Sequence, residues 1–248
     1  MAVNTRTPSE RRVELQYEVP GTPEQVWHAI ATGPGISSWF APTDVEECEG
    51  GAIAFRMGPG MESSGVVTRW EPSHRFAYEE RDWSPNAPPL GTEFIIEARS
   101  GGTCTVRLVH SLFADSADWD DQMDSFETGW ASVFDVLRIY MTRFYNQPSS
   151  AFRALRSVSA SESDTWKVLQ GALPALGGQL QAPVSRKSPH EALLLLDTPA
   201  PGIALVGAFT WGNKVHASLA FFFFGPAAAL AVAREEPRWT TWLEQKFG

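Results

Sequence analysis

The chain has 248 residues, 43% of them hydrophobic, which is enough for one large domain or two small ones around a substantial core. A formal net charge of -9 argues against a nucleic-acid partner, because neutralising phosphates takes clustered Lys and Arg. Cys48 and Cys104 stand far apart and the five His are scattered, so no metal or other cofactor is expected, and two free thiols suggest a reducing, cytoplasmic setting.

Residues 1–12 are polar, lack the apolar segment of a secretory signal and are expected to be disordered. Val13, Leu15, Tyr17 and Val19 then alternate as one face of a half-buried strand, which Pro20 and Gly21 end. Thr22 as cap, Pro23 in the first turn and Gln25 completing a capping box start a helix carrying Val26, Trp27 and Ile30. Gly33, Pro34 and Gly35 stop it, and residues 36–40 make a short second turn. Six strand-like segments follow, at residues 43–47, 52–57, 64–71, 74–81, 93–98 and 104–113, with short connections that specify an antiparallel meander. The period then changes. Trp119, Met123, Phe126, Trp130, Val133, Phe134, Leu137, Met141 and Phe144 form the aromatic inner stripe of a long helix, with Asp135 and Arg138 among the residues on its polar side. This order specifies a helix-grip plan: an α+β domain over residues 13–146, in which a curved antiparallel sheet wraps around a long C-terminal helix.

The residues that carry this plan also carry a resemblance. The run Thr-Pro-Glu-Gln-Val-Trp-His-Ala-Ile at 22–30, then Trp39 and Phe40, resembles the opening of the activator-of-heat-shock-protein-90-ATPase-like (AHSA-type) family, within the START-like or SRPBCC superfamily. The segment from Gly65 to Pro72, the strand with Thr103, Val106, Leu108 and His110, and the pair Gly129 and Trp130 resemble its later motifs in the same order. The resemblance implies a helix-grip (START-like, Bet v-like) fold, often with a ligand cavity, and no single reaction. With about twelve residues ahead of the domain, no separate N-terminal chaperone-binding domain is expected.

Strand parity selects the pocket residues. Cys104, Val106, Leu108 and His110 share the more apolar face of the last strand and are placed inward. His110 is then a candidate ligand contact or base, or else a structural histidine satisfied by a neighbour. Phe76, Tyr78 and Glu80 share a face, which makes Glu80 a candidate buried carboxylate with a raised pKa unless strand twist carries it to solvent. Trp70, with Val66 and Thr68, is expected to face the same interior. Trp130, Phe134 and Leu137 supply the helix wall or plain core. Trp39 and Phe40 form a lid or an ordinary turn, and the Pro-rich loop 84–91 a gate or a solvated connection. No Gly-x-Ser-x-Gly, phosphate-binding Gly loop or His-Glu-x-x-His occurs, which favours binding over catalysis.

Residues 147–160 read as a linker, and residues 161–248 as a smaller α+β subdomain with helix, three strands and helix. Ser161 followed by Trp166 repeats the spacing of Thr22 and Trp27, so this unit is either a shortened, degenerate repeat of the first domain or an unrelated appendage. Strands are expected at 191–196, 203–211 and 215–224, a hairpin turn at Gly212 and Asn213, and a last helix at 236–247 with Pro237 near its start. Leu219 to Ala233 is the most apolar stretch, but Gly225 and Pro226 break it, so no membrane span is expected. The run from Phe221 to Phe224 is apolar on both faces and needs cover, for which a homodimer is one route. Three functions follow in order: binding of a hydrophobic small molecule in the helix-grip cavity; a co-chaperone or stress-response module with a chaperone partner; and a cyclase- or hydratase-like pocket enzyme using His110 or Glu80.

Overall fold

The computed structural model describes residues 9–58, 60–81, 83, 87–114, 120–181, 188–211 and 214–248. The N-terminal unit runs β1 (Ser9–Pro20), α1 (Pro23–Ala31), α2 (Gly33–Ser37), β2 (Thr43–Val45), β3 (Ala52–Arg56), β4 (Glu62–Glu71), β5 (Arg75–Glu80), β6 (Leu90–Arg99), β7 (Thr103–Ala114) and α3 (Asp120–Ile139). One π-helical turn (Tyr140–Phe144) extends α3. The seven strands form one antiparallel sheet in the order β1-β7-β6-β5-β4-β3-β2. Tyr17 of β1 stacks on Phe134 of α3 with ring centroids 3.9 Å apart, which fixes the helix across the sheet. This is the helix-grip arrangement expected from the order of elements.

The local chemistry explains the start of the fold. Thr22 Oγ1 accepts from the Gln25 amide while Gln25 Oε1 accepts from the Thr22 amide, so the capping box is complete. Helix α1 ends at Ala31, ahead of Gly33, Pro34 and Gly35 as expected, and these three residues also open α2. Thr32 caps it, and a proline in the first turn costs no intrahelical bond. In β4 the expected parity fails. A bulge between Val67 and Arg69 shifts the register, so Val67 and Trp70 turn inward while Val66 and Thr68 face out.

The C-terminal unit runs β8 (Ser149–Val158), α4 (Glu162–Gln170), α5 (Leu173–Leu176), β9 (Gln179–Leu180), β10 (Glu191–Leu196), β11 (Gly202–Trp211), β12 (Lys214–Phe224) and α6 (Ala228–Phe247). Its sheet order is β8-β12-β11-β10-β9. As in the first sheet, the first strand pairs with the last. The expected linker is therefore largely strand: β8 pairs with β12 along its whole length, with Phe152 and Ala154 buried despite the serine-rich flanks. Strand β1 likewise includes Ser9 to Arg12, part of the N-terminal segment expected to be disordered; residues 1–8 lie outside the described residues. The register sets Trp211 opposite Lys214, and the expected turn residues Gly212 and Asn213 lie outside the described residues.

Helix α6 starts at Ala228, so Pro237 is interior to it. The buried carboxylate of Glu235 spans the proline, accepting from Trp239 Nε1 at 3.1 Å and Arg238 Nη1 at 2.9 Å. These bonds tie the two turns where Pro237 removes a backbone donor.

The second sheet is buried on both faces. Phe222 and Phe224 join the first unit's core, while Phe221 and Phe223 join a second core with Trp239 and Leu243 of α6. Phe224 stacks on Phe144 at 4.2 Å. The layers are thus first sheet, α3, second sheet, then α4 and α6. The chain itself covers the aromatic run, which needs no second copy. It also buries Ser132 and Asp135, the latter on the helix side expected to be polar. Among the described residues no helix is long and apolar enough to cross a membrane.

Candidate functional site

A cavity of about 430 Å³ lies between the two units. The first sheet, the turn after α2 and α3 supply Phe40, Phe55, Tyr78, Glu80, His110 and Trp130; the second sheet supplies Arg153, Glu191, Leu205, Phe209, Trp211 and Ser218. Of the residues placed in the pocket by sequence, Phe40, Tyr78, Glu80, His110 and Trp130 reach it. Trp39, Trp70, Phe76, Leu108, Phe134 and Leu137 pack in the core behind it. Trp39 is no lid: it is 2% exposed, and its indole Nε1 donates to the Ala29 carbonyl at 2.8 Å. Phe40 stacks on Trp130 at 5.3 Å, joining α2's end to α3. Of the expected gate, residues 84–86 lie outside the described residues, and Leu90 and Gly91 already belong to β6. Just before it, Trp83 meets Trp211 of the second sheet edge-on at 5.9 Å. Trp119 and the side chains of Met123 and Phe126 also lie outside the described residues.

Register assembles the polar wall. Tyr78, Thr92 and His110 are cross-strand neighbours on β5, β6 and β7, so their side chains point the same way. Thr92 Oγ1 is 3.0 Å from His110 Nδ1 and also hydrogen-bonds the Tyr78 phenol. His110 is 2% exposed, and burial pushes its pKa down to about 3 against a bond to the Gly91 backbone, so the ring is neutral at physiological pH. Glu80 is 7% exposed and does not reach solvent. Burial raises its pKa to about 7, opposed by the bond its Oε1 accepts from Ser63 Oγ. Burial first, and the Glu80 charge second, push the Tyr78 phenol well above its ordinary range. The wall can therefore donate from a neutral phenol and, near neutrality, give or take a proton at Glu80. Among the described residues no three His, Cys, Asp or Glu converge to hold a metal ion.

The opposite wall was not foreseen. Arg153, Glu191, Ser218 and Trp211 belong to segments read as a linker or as a separate unit. Alternation in β8 does put Phe152 and Ala154 on one face and Arg153 and Leu155 on the other. No local signal says that Arg153, on the second face, lines a cavity.

The family model described as "Activator of Hsp90 ATPase homolog 1-like protein" matches residues 20–142. The chain carries an AHSA-type SRPBCC domain. Among solved structures it is similar to protein MLL2253 from Mesorhizobium loti (20% identity, TM-score 0.49, covering 54% of this chain and 98% of that one). It is also similar to CalU16 from Micromonospora echinospora (21% identity, TM-score 0.45, 54% and 78% covered). The di-domain ARO/CYC BexL from the BE-7585A biosynthetic pathway is similar over both units (18% identity, TM-score 0.47, 96% and 95% covered). No curated protein matches the sequence. The matched residues hold β2 to β7, α3 and the Glu80 and His110 wall; nearly all of β1 and the second wall lie outside them.

Proposed function

We propose that this protein binds a hydrophobic small molecule in the cavity between its AHSA-type domain and its C-terminal unit. The observation that carries this reading is the cavity itself: about 430 Å³, within the usual size of ligand sites, with aromatic walls and a few placed polar groups. The shared order of elements and the pairing of first strand with last support reading the C-terminal unit as a shortened repeat of the first. Native mass spectrometry of the purified protein tests the binding reading. A co-purifying mass of a few hundred daltons, released on denaturation, is the expected result. Absence of any such mass, together with failure of an apolar fluorescent dye to bind, overturns it.

A second reading, a cyclase- or hydratase-like pocket enzyme, draws on one observation. Glu80 titrates near neutrality on the wall that carries Tyr78 and His110, as an acid–base group must. If it is right, Glu80→Gln keeps the co-purifying ligand but changes its mass from product to precursor. An unchanged mass counts against it. The co-chaperone alternative has less support, because large exposed apolar residues among those described are dispersed. Val66, Phe113, Val168, Leu180 and Leu230 lie on five different elements and make no patch of sequence neighbours.

A further inference from the structure

Among the described residues the cavity is lined by three carboxylates and one guanidinium, and they are not equally provided for. Glu80 accepts from Ser63. Glu191 Oε2 accepts from Ser132 Oγ of α3. Glu162 accepts from Thr210 Oγ1 at 2.5 Å and lies 3.4 Å from His190 Nδ1. Each carboxylate thus has a protein donor. Arg153 has five N–H donors and, among the described residues, neither a hydrogen-bond acceptor nor an ion-pair partner. Its one electrostatic partner is Glu191, across the cavity wall.

The backbone explains the separation. Arg153 on β8 pairs with Ala220 on β12, while Glu191 on β10 pairs with Gly207 on β11. Two strands lie between β8 and β10. A Cβ on Gly207 would meet Glu191 Cγ at 2.8 Å, so this glycine makes room for the glutamate to lie along the sheet. The β3–β4 turn closes over β8 from outside: a Cβ on Gly58 would meet Leu155 Cβ at 3.3 Å. Burial accordingly pulls the Arg153 pKa down to about 10, which still leaves it charged at physiological pH. A guanidinium drawn largely out of water with no hydrogen-bonded acceptor is costly, and a sheet position tolerates many apolar residues. Arg153 lines the cavity together with the aromatic rings of Phe40, Trp130, Phe209 and Trp211.

Resting on the binding reading above, we infer that the ligand is an acid: an aromatic or otherwise apolar molecule whose carboxylate docks on Arg153. A carboxylate matches the two parallel donors of a guanidinium, and the Phe209, Trp211 and Trp130 rings bound the apolar remainder. The same wall would reject a neutral isostere, which leaves the charge unpaired.

Calorimetric titration of the full-length protein at pH 8 with 2-naphthoate and with its uncharged isostere 2-naphthamide tests this. The acid is expected to bind at least about tenfold more tightly than the amide, the equivalent of one charge-assisted pair. Arg153→Gln should abolish that preference while keeping amide affinity, and Arg153→Lys should keep part of it. Equal binding of the two probes, or a preference that survives in Arg153→Gln, overturns the assignment of Arg153 and leaves the cavity reading standing. Failure of both probes to bind overturns both.

Discussion

Glu80 and His110 stand two strands apart on one wall, and burial moves their pKa values in opposite directions. Glu80 is raised from 4.5 to about 7, so the native state holds its proton more tightly than the unfolded chain does. Its contribution to stability is full below pH 4.5 and falls as pH rises toward 7. His110 is lowered from 6.5 to about 3, so its contribution is full above pH 6.5 and falls as pH drops toward 3. Between roughly pH 5 and 6 the two slopes oppose each other at about 1 kcal/mol per pH unit each. Urea denaturation at pH 5 and pH 6 should expose the cancellation. Relative to the parent, Glu80→Gln should gain about 1 kcal/mol on going up that unit, and His110→Gln should lose about the same. Slopes parallel to the parent in both variants would contradict the burial that sets these shifts. Both residues were legible in the sequence, because strand parity is a local property. The inward turn of Val67 in place of Val66 was not, because a bulge is decided by the partner strand.

Elements show the same division between local and non-local causes. Helix α1 was legible to the residue, since its cap is written in adjacent side chains; Thr22→Ala should cost about 1 kcal/mol in denaturant unfolding. Two glycines, Gly35 and Gly129, separate on the same ground. A Cβ at Gly35 would sit 1.9 Å from the His28 carbonyl oxygen at the end of α1. Gly35→Ala must therefore push two helices apart, and a loss of about 3 kcal/mol is expected. A Cβ at Gly129, in α3, meets nothing within 4 Å. Gly129→Ala should stabilise by about 0.5–1 kcal/mol through the backbone entropy that glycine loses in a helix. A loss in urea denaturation at Gly129 comparable to that at Gly35 would show that the Gly and Trp pair has a packing role the geometry lacks. Strand β8 was illegible for the converse reason. Its serines suit a loop, and only pairing with β12, more than fifty residues on, makes it a strand. Helix α6 was cut short in the reading at Pro237, where Glu235 and its three donors carry the helix through.

At the scale of the molecule, the sequence divided the chain into a domain and an appendage, while the structure puts one helix between two sheets. The aromatic stripe of α3 announced the first sheet. Asp135 on its other side resembled part of a solvated face and so hid the second. Five large apolar side chains of the second sheet, Leu193, Leu195, Ile203, Phe222 and Phe224, belong to the first unit's core. At about 1.5–3 kcal/mol for each buried side chain their burial amounts to roughly 10 kcal/mol, as much as the whole net stability of an ordinary domain. Each unit is then expected to depend on the other to stay folded. The full chain is expected to unfold in one transition, with tryptophan fluorescence and far-ultraviolet circular dichroism coincident across a urea titration. A fragment ending at Asn146 should fail to show that transition and should bind an apolar dye non-specifically, because Tyr140 and Phe144 lose the cover of Phe224. Two separated transitions in the full chain, or a fragment that melts as the parent does, would mean that the units fold independently. The cavity would then be a seam between two domains that can part, and access to Arg153 and Glu80 would be set by that parting.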